Sequence, residues 1–180
     1  MTWLRRNLVA LIVIVLALPA LAFVLVGVPV LDRAAHTPQV VPVSAGTTIE
    51  AGGYSFTVTA SQEFPGTGTG PGTNSIPTGS SLIGVLVDAE PLVGPVPDNN
   101  FCDAELTSRA GGVDRVWRAV TSPSDFAYEV GDDRTTICLL DDQEAFELEQ
   151  VFLVPAGVYA SATLDLVVGS TTYRFELPRE

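Results

Sequence analysis

The chain has 180 residues and a formal net charge of −12, and all nine of its basic residues are arginine. Seven of these arginines and all 21 acidic residues lie from position 32 onward. A surface this acidic repels nucleic acid and anionic lipid headgroups, so we expect neither a DNA- or RNA-binding protein nor a protein of the membrane surface.

Near the N-terminus, an uncharged apolar run spans residues 8–31, after Arg5 and Arg6 and before Asp32 and Arg33. As a helix rising about 1.5 Å per residue, it is long enough to cross a hydrocarbon core of about 30 Å. The arginines that precede it predict a cytoplasmic N-terminus, residues 1–7, with the rest of the chain outside the membrane. The run is therefore predicted to be an uncleaved, single-pass signal anchor of the cell membrane.

A cleaved signal peptide is the alternative interpretation of the same run. Ala20 and Ala22 provide the small residues that signal peptidase requires, and Pro19 is suited to ending the apolar helix. Cleavage after Ala22 would release a secreted soluble protein, but it would leave an apolar N-terminus at Phe23. Because the run is also longer than the 7 to 15 apolar residues usual in a signal peptide, we favour the anchor. Both interpretations export the domain.

After the anchor, residues 32–46 are predicted to form a tether and a first strand, and residues 47–180 a single extracytoplasmic domain with one core. A first hairpin is predicted around the turn at residues 51–53, because apolar and polar residues alternate after it. Its buried face would carry Tyr54, Phe56 and Val58.

Residues 65–80 contain five glycines and three prolines, which predicts a long flexible loop without regular structure. The next segment, residues 82–87, is apolar on both faces. This is typical of a central strand that is covered on both sides, although a short apolar run is also compatible with a helix.

In the remainder of the chain, apolar and polar residues again alternate with a period of two, which is typical of β-strands. A second hairpin is predicted around the turn at 109–112, and a third around Gly169 and Ser170. With eight or nine short strands and no amphipathic helix after the anchor, the predicted fold is all-β, an antiparallel immunoglobulin-like β-sandwich. The later strands are predicted at residues 102–107, 113–119, 135–140, 146–154, 160–168 and 173–177.

Cys102 and Cys138 are the two cysteines of the chain, and both follow the anchor. In an oxidising compartment such a pair predicts a disulfide. Acidic residues follow each cysteine closely, which disfavours a reactive thiolate. A disulfide closing this loop would stabilise the fold by about 4 kcal/mol in the chain-entropy model.

Several segments together resemble a known group of domains: the anchor, the Gly/Pro-rich spacer, the strand at 82–90, the hairpin at 106–117 and the sequence Phe152-Leu153-Val154-Pro155. The chain resembles, over about residues 45–178, the small immunoglobulin-like extracytoplasmic domains of unknown function in secreted and membrane-anchored bacterial proteins. The resemblance implies a fold and a compartment, and it assigns no catalytic residue.

Catalytic chemistry has few candidates in this sequence. The single histidine, His36, lies in the tether, so no imidazole is available for a hydrolytic triad on a rigid scaffold. Zinc sites of the Cys/His type lack ligands, and we expect no cofactor. Acidic loops provide oxygen ligands of the kind Ca²⁺ prefers, but their spacing is not that of an EF-hand, and solvated loop acids are the favoured interpretation. The weak metal candidates are Asp98, Asn100, Asp103, Asp132, Asp133, Asp141 and Asp142.

The sequence therefore favours a non-catalytic binding or accessory domain whose partner is another envelope protein or a membrane complex. A metal-assisted or carboxylate-based enzyme that uses the acidic loops is the alternative. Phe126 and Tyr128 are interpreted as part of a loop that folds back on the core rather than as a ligand platform.

Overall fold

The computed structural model describes residues 39–66, 68, 76–94, 101–110, 113–140 and 144–179, together with Asn7 and Ala17. In this part of the chain no helix has the length and apolar character needed to span a membrane. The predicted anchor, apart from Ala17, lies outside the described residues.

Sheet A has five strands in the order β1, β10, β9, β5, β6. Strand β1 pairs with β10 in parallel, and the other pairs are antiparallel. The hairpins predicted around residues 109–112 and around Gly169 are confirmed, and Gly169 adopts a positive φ of 61° that suits a tight turn. The strands are β1 Gln39–Val43, β5 Cys102–Ala110, β6 Val113–Arg118, β9 Ala162–Val168 and β10 Thr171–Glu176.

Sheet B has the order β2, β3, β4, β8, β7. The hairpin predicted around residues 51–53 is confirmed as β2 and β3, with Gly52 and Gly53 at positive φ. The short edge strand β7 pairs with β8 in parallel. The strands are β2 Ile49–Ala51, β3 Tyr54–Pro65, β4 Ser80–Pro91, β7 Arg134–Thr135 and β8 Phe146–Pro155.

The two sheets form a β-sandwich, and their facing side chains form one hydrophobic core. This arrangement follows from the period-two patterns, because alternate residues of each strand point to the same face. Both sheets contribute large side chains that are fully buried: Tyr54, Phe56, Ile83, Leu148 and Phe152 from sheet B, and Leu106, Leu164, Leu166 and Phe175 from sheet A.

Strand β4 is buried on both faces, as its sequence predicts. Ile83, Val85 and Val87 lie in the core. On the opposite face, Leu82 and Gly84 are buried beneath residues 119–133, which we call the cover segment. The cover segment leads from the end of β6 in sheet A to the outer face of sheet B, and at its start the Val120 amide donates to the Val151 carbonyl of β8 over 2.8 Å.

The strand predicted at residues 135–140 is wrong in extent. Only Arg134 and Thr135 form β7, and Leu139 makes an isolated bridge to Phe101. The Thr135 hydroxyl accepts a hydrogen bond from the Ile137 amide and lies 3.1 Å from the Ile137 carbonyl oxygen. A threonine side chain that bonds the backbone two residues onward favours a turn over continued strand pairing.

The glycine-rich segment predicted as a loop is described only in part. Its end residues, Pro65 and Ser80, belong to β3 and β4, and residues 66, 68 and 76–79 lie outside the strands. The Gly66 amide donates to the Ser80 carbonyl over 2.8 Å, so the two strands remain joined at the base of this segment.

Candidate functional site

A disulfide between Cys102 and Cys138 confirms the predicted pairing, and the two Cα atoms are 5.3 Å apart. The bond joins the first residue of β5, in sheet A, to the segment that follows β7 of sheet B. It therefore connects the two layers of the sandwich at a point where the turn at Thr135 has ended the edge strand.

Two adjoining cavities, of 390 and 190 Å³, lie beside this disulfide, and together we call them the disulfide cleft. The larger cavity extends below the start of the cover segment, where it contacts Val120 and Val151. Both cavities are lined by Asp103, Ala104, Thr136, Ile137 and Gln150.

The surface around the disulfide cleft exposes apolar side chains. Phe101 is 63% exposed and Ile137 is 61% exposed, and Leu139, the bridge partner of Phe101, is also exposed. Ile137 points outward because the turn that begins at Thr135 directs the next residue, Cys138, into the core. Large apolar groups gathered at a concave surface are typical of a binding site.

A buried carboxylate, Glu149, lines the larger cavity from β8 and is only 4% exposed. It accepts hydrogen bonds from the Tyr128 hydroxyl at 2.5 Å, the Gly131 amide at 3.2 Å and Arg134 Nη1 at 3.2 Å. Burial by itself raises the pKa of Glu149, but these donors and the positive charge of Arg134 outweigh it and lower the pKa below the ordinary glutamate value. Glu149 is therefore held as an anion.

The pKa values of the two titratable partners of Glu149, Tyr128 and Arg134, shift in the opposite direction. Burial, followed by the hydrogen bond to Glu149, raises the pKa of Tyr128 well above its ordinary value. Hydrogen bonds to Glu149 and to Glu147 raise the pKa of Arg134. At neutral pH the group thus contains a neutral phenol and a charged guanidinium, and their hydrogen bonds to Glu149 fasten the cover segment and β7 to β8.

Tyr128 confirms that this loop folds back on the domain, although it covers the outer face of sheet B rather than the core between the sheets. Its ring packs edge-on against Phe64, with the ring centroids 5.3 Å apart. Phe126 and Tyr128 also border a cavity of 370 Å³ with Leu82.

The predicted metal candidates do not assemble into one site among the residues that the structure describes. Asp103 lines the disulfide cleft, whereas Asp133 borders a separate cavity of 340 Å³ that Asp88, Glu90 and Glu147 also line. Within the described ranges no group of three or more His, Cys, Asp or Glu residues is arranged to hold a metal ion. Asp132 precedes β7 in the cover segment, and His36, Asp98, Asn100, Asp141 and Asp142 lie outside the described residues.

Sequence reasoning missed a row of charges on the outer face of sheet A. Arg174, Asp165, Glu105 and Arg118 are successive cross-strand neighbours on β10, β9, β5 and β6. Arg174 forms two hydrogen bonds of 2.7 Å to Asp165, and Arg118 lies 3.5 Å from Glu105. The sequence signal that could have indicated this row is Asp165, because it is a charged residue between Leu164 and Leu166 in a mostly apolar strand.

The fold defines the class of protein as a β-sandwich domain. In a comparison of structures, the chain is similar to an uncharacterized β-sandwich protein from Clostridium difficile 630, with 10% sequence identity and a TM-score of 0.43. The similarity covers 78% of this chain and 96% of that protein. No protein-family model and no curated protein matches the sequence.

Proposed function

We propose that the chain is a single-pass membrane protein whose N-terminus is cytoplasmic and whose extracytoplasmic, immunoglobulin-like β-sandwich is a non-catalytic binding or accessory domain. Its partner is another envelope protein or a membrane complex. The observation that carries the binding role is the exposed apolar surface around the disulfide cleft.

The membrane location rests on the sequence of residues 8–31 and on the arginines that precede it. The disulfide supports export, because such bonds persist mainly in oxidising compartments. The acidic character of the exported residues favours a partner with basic groups around an apolar contact.

At the cleft, Phe101 and Ile137 provide apolar contact area, and Asp103 and Arg118 provide polar groups at its border. Interfaces commonly combine an apolar centre with a polar rim. The disulfide and the three hydrogen bonds to Glu149 hold the cleft in place, which lowers the ordering cost of binding.

The test is a pull-down of the full-length chain, tagged at its C-terminus and extracted from membranes in mild detergent. We expect a partner to co-purify with the wild type and to be lost with Ile137→Asp or Phe101→Asp. Val40→Asp is the matched control, because Val40 is also exposed but lies on β1, at the opposite edge of sheet A. Equal recovery of the partner by all four proteins, or recovery of none by the wild type, would contradict the proposal.

A further inference from the structure

The edge strands of the sandwich differ in how open they are to further pairing. Unpaired edges invite association, and proteins protect them with short strands or with proline. Strand β2 has three residues, β7 has two, and β1 contains Pro42. Strand β6, the fourth terminal strand of the two sheets, has six residues and no proline.

Strand β6 is exposed along most of its length. Val116, at its centre, is 53% exposed, and Val113 is also exposed. In the part of the chain that the structure describes, β6 pairs only with β5, and no described strand lies along its other side. A β-strand presents backbone donors and acceptors on both sides, and this edge therefore has the groups needed to receive another strand.

The sequence of β6 is complementary to itself in the antiparallel direction. If two copies pair with Val116 opposite Val116, then Asp114 of each copy is opposite Arg118 of the other. Asp114, Val116 and Arg118 share the outer face of sheet A, because the strand alternates and Trp117, on the other face, packs against the core. Directly opposed residues of opposite charge stabilise a strand pair.

We infer that β6 pairs in an antiparallel manner with β6 of a second copy of this chain, with a two-fold axis at Val116. The charge row of sheet A then continues across the interface, because Arg118, after Glu105, is followed by Asp114 of the second copy. The contact is isologous, so it closes as a dimer and leaves no further β6 edge.

The present partners of these charges do not prevent the contact. Arg118 lies 3.5 Å from Glu105, and Asp114 lies 3.5 Å from Arg109, in pairs whose arginines are highly exposed. Exposed ion pairs of this kind contribute little, so Asp114 and Arg118 remain available to a second copy. Arg115 and Trp117 also become direct neighbours across the axis, which favours a cation–π contact.

A charge swap tests this pairing in the full-length protein in mild detergent, by sedimentation over a range of concentrations. Asp114→Arg places two arginines opposite each other at both ends of the interface, and Arg118→Asp places two aspartates there. We expect each single variant to raise the dimer dissociation constant by roughly tenfold or more. The mixture of the two variants, and the double variant Asp114→Arg/Arg118→Asp, should restore the dimer.

A cysteine pair provides a second test that does not depend on the charges. Val116→Cys places the new thiols opposite each other at the axis, so mild oxidation should link the two copies. Val113→Cys is the matched control, because the two thiols would be separated by six residues along the paired strands, about 20 Å. Cross-linking of both variants alike, a wild type that stays monomeric, or β6 bound only to another protein would each overturn the inference.

Discussion

At the scale of single residues, Glu149 shows how a carboxylate is kept ionised inside this domain. A buried carboxylate without donors would be costly and would tend to be protonated. Here a phenol, a backbone amide and a guanidinium each donate to it, and all three come from the cover segment or from β7. The charge therefore stabilises the fold only while those two elements are in place.

Replacing Glu149 by glutamine tests this role through pH. Since the pKa of Glu149 is lowered in the folded state, its stabilisation is present above the ordinary glutamate pKa of about 4.3 and is lost as the pH falls through the lower, folded value. We expect Glu149→Gln to cost about 2 kcal/mol at pH 7 and less at acid pH. Denaturant unfolding of the wild type and the variant, measured at several pH values from 7 to 3, gives the loss of unfolding free energy at neutral and at acid pH.

Glu147→Gln is the control for that experiment. Glu147 also pairs with Arg134, over 3.1 Å, but its side chain is 43% exposed. We expect a change of less than about 1 kcal/mol at pH 7. Equal losses for the two variants, or a loss for Glu149→Gln that does not depend on pH, would contradict the assignment of a buried anion.

At the scale of elements, the cover segment depends on a glycine in the strand beneath it. A Cβ atom added at Gly84 would lie 2.7 Å from the Tyr128 hydroxyl and 3.4 Å from Tyr128 Cζ. The first distance is a clash, whereas the second is close to an ordinary contact. Gly84 thus allows the tyrosine to reach Glu149 across β4.

Gly84→Ala should consequently displace Tyr128 and destabilise the protein by about 1 to 3 kcal/mol. In a Tyr128→Phe background the clashing hydroxyl is absent, so the same glycine substitution should cost less than about 1 kcal/mol. A double-mutant cycle of unfolding free energies measures this coupling. If the changes in unfolding free energy caused by the two substitutions were additive, the close approach of the Tyr128 hydroxyl would not explain why residue 84 is a glycine.

Much of the sandwich is predictable from sequence, because period-two alternation directly records which strand faces are buried. The hairpins follow from this alternation, and the two-sided strand follows from the unbroken apolar run at residues 82–87. The disulfide follows from the presence of two cysteines in a chain that is predicted to be exported. The burial of Glu149 is not predictable from the sequence. Glu147 and Glu149 are equivalent in the strand pattern, and only the cover segment, which buries Glu149 and leaves Glu147 partly exposed, distinguishes them. The sequence does not predict the turn at Thr135 either, because Thr135 and Thr136 lead directly into the apolar residues 137–140 and threonine favours a strand by propensity.

The disulfide cleft was predictable only in part. The sequence predicts the cysteine pair, but it indicates Asp103 only as a weak metal candidate, and the exposure of Phe101 and Ile137 depends on how the chain turns after β7. Apolar residues in strand-like runs are read as core, and an apolar binding surface gives the same sequence signal.

At the scale of the whole molecule, the proposed function joins two parts of the chain. Residues 39–180 form one compact unit, the sandwich, with its cleft beside the disulfide. The apolar run of residues 8–31 is proposed to hold that sandwich at the outer surface of the membrane. Release from the membrane would remove the reason to expect a membrane complex as the partner.

The most direct test is the intact mass of the protein, tagged at its C-terminus and recovered from membranes that have been washed with alkaline carbonate. We predict that the protein stays in the washed membranes with the mass of the uncleaved 180-residue chain, 19.0 kDa plus the tag. Release of the protein into the soluble fraction, with the mass of a chain that begins at Phe23, would contradict the proposal of an uncleaved anchor.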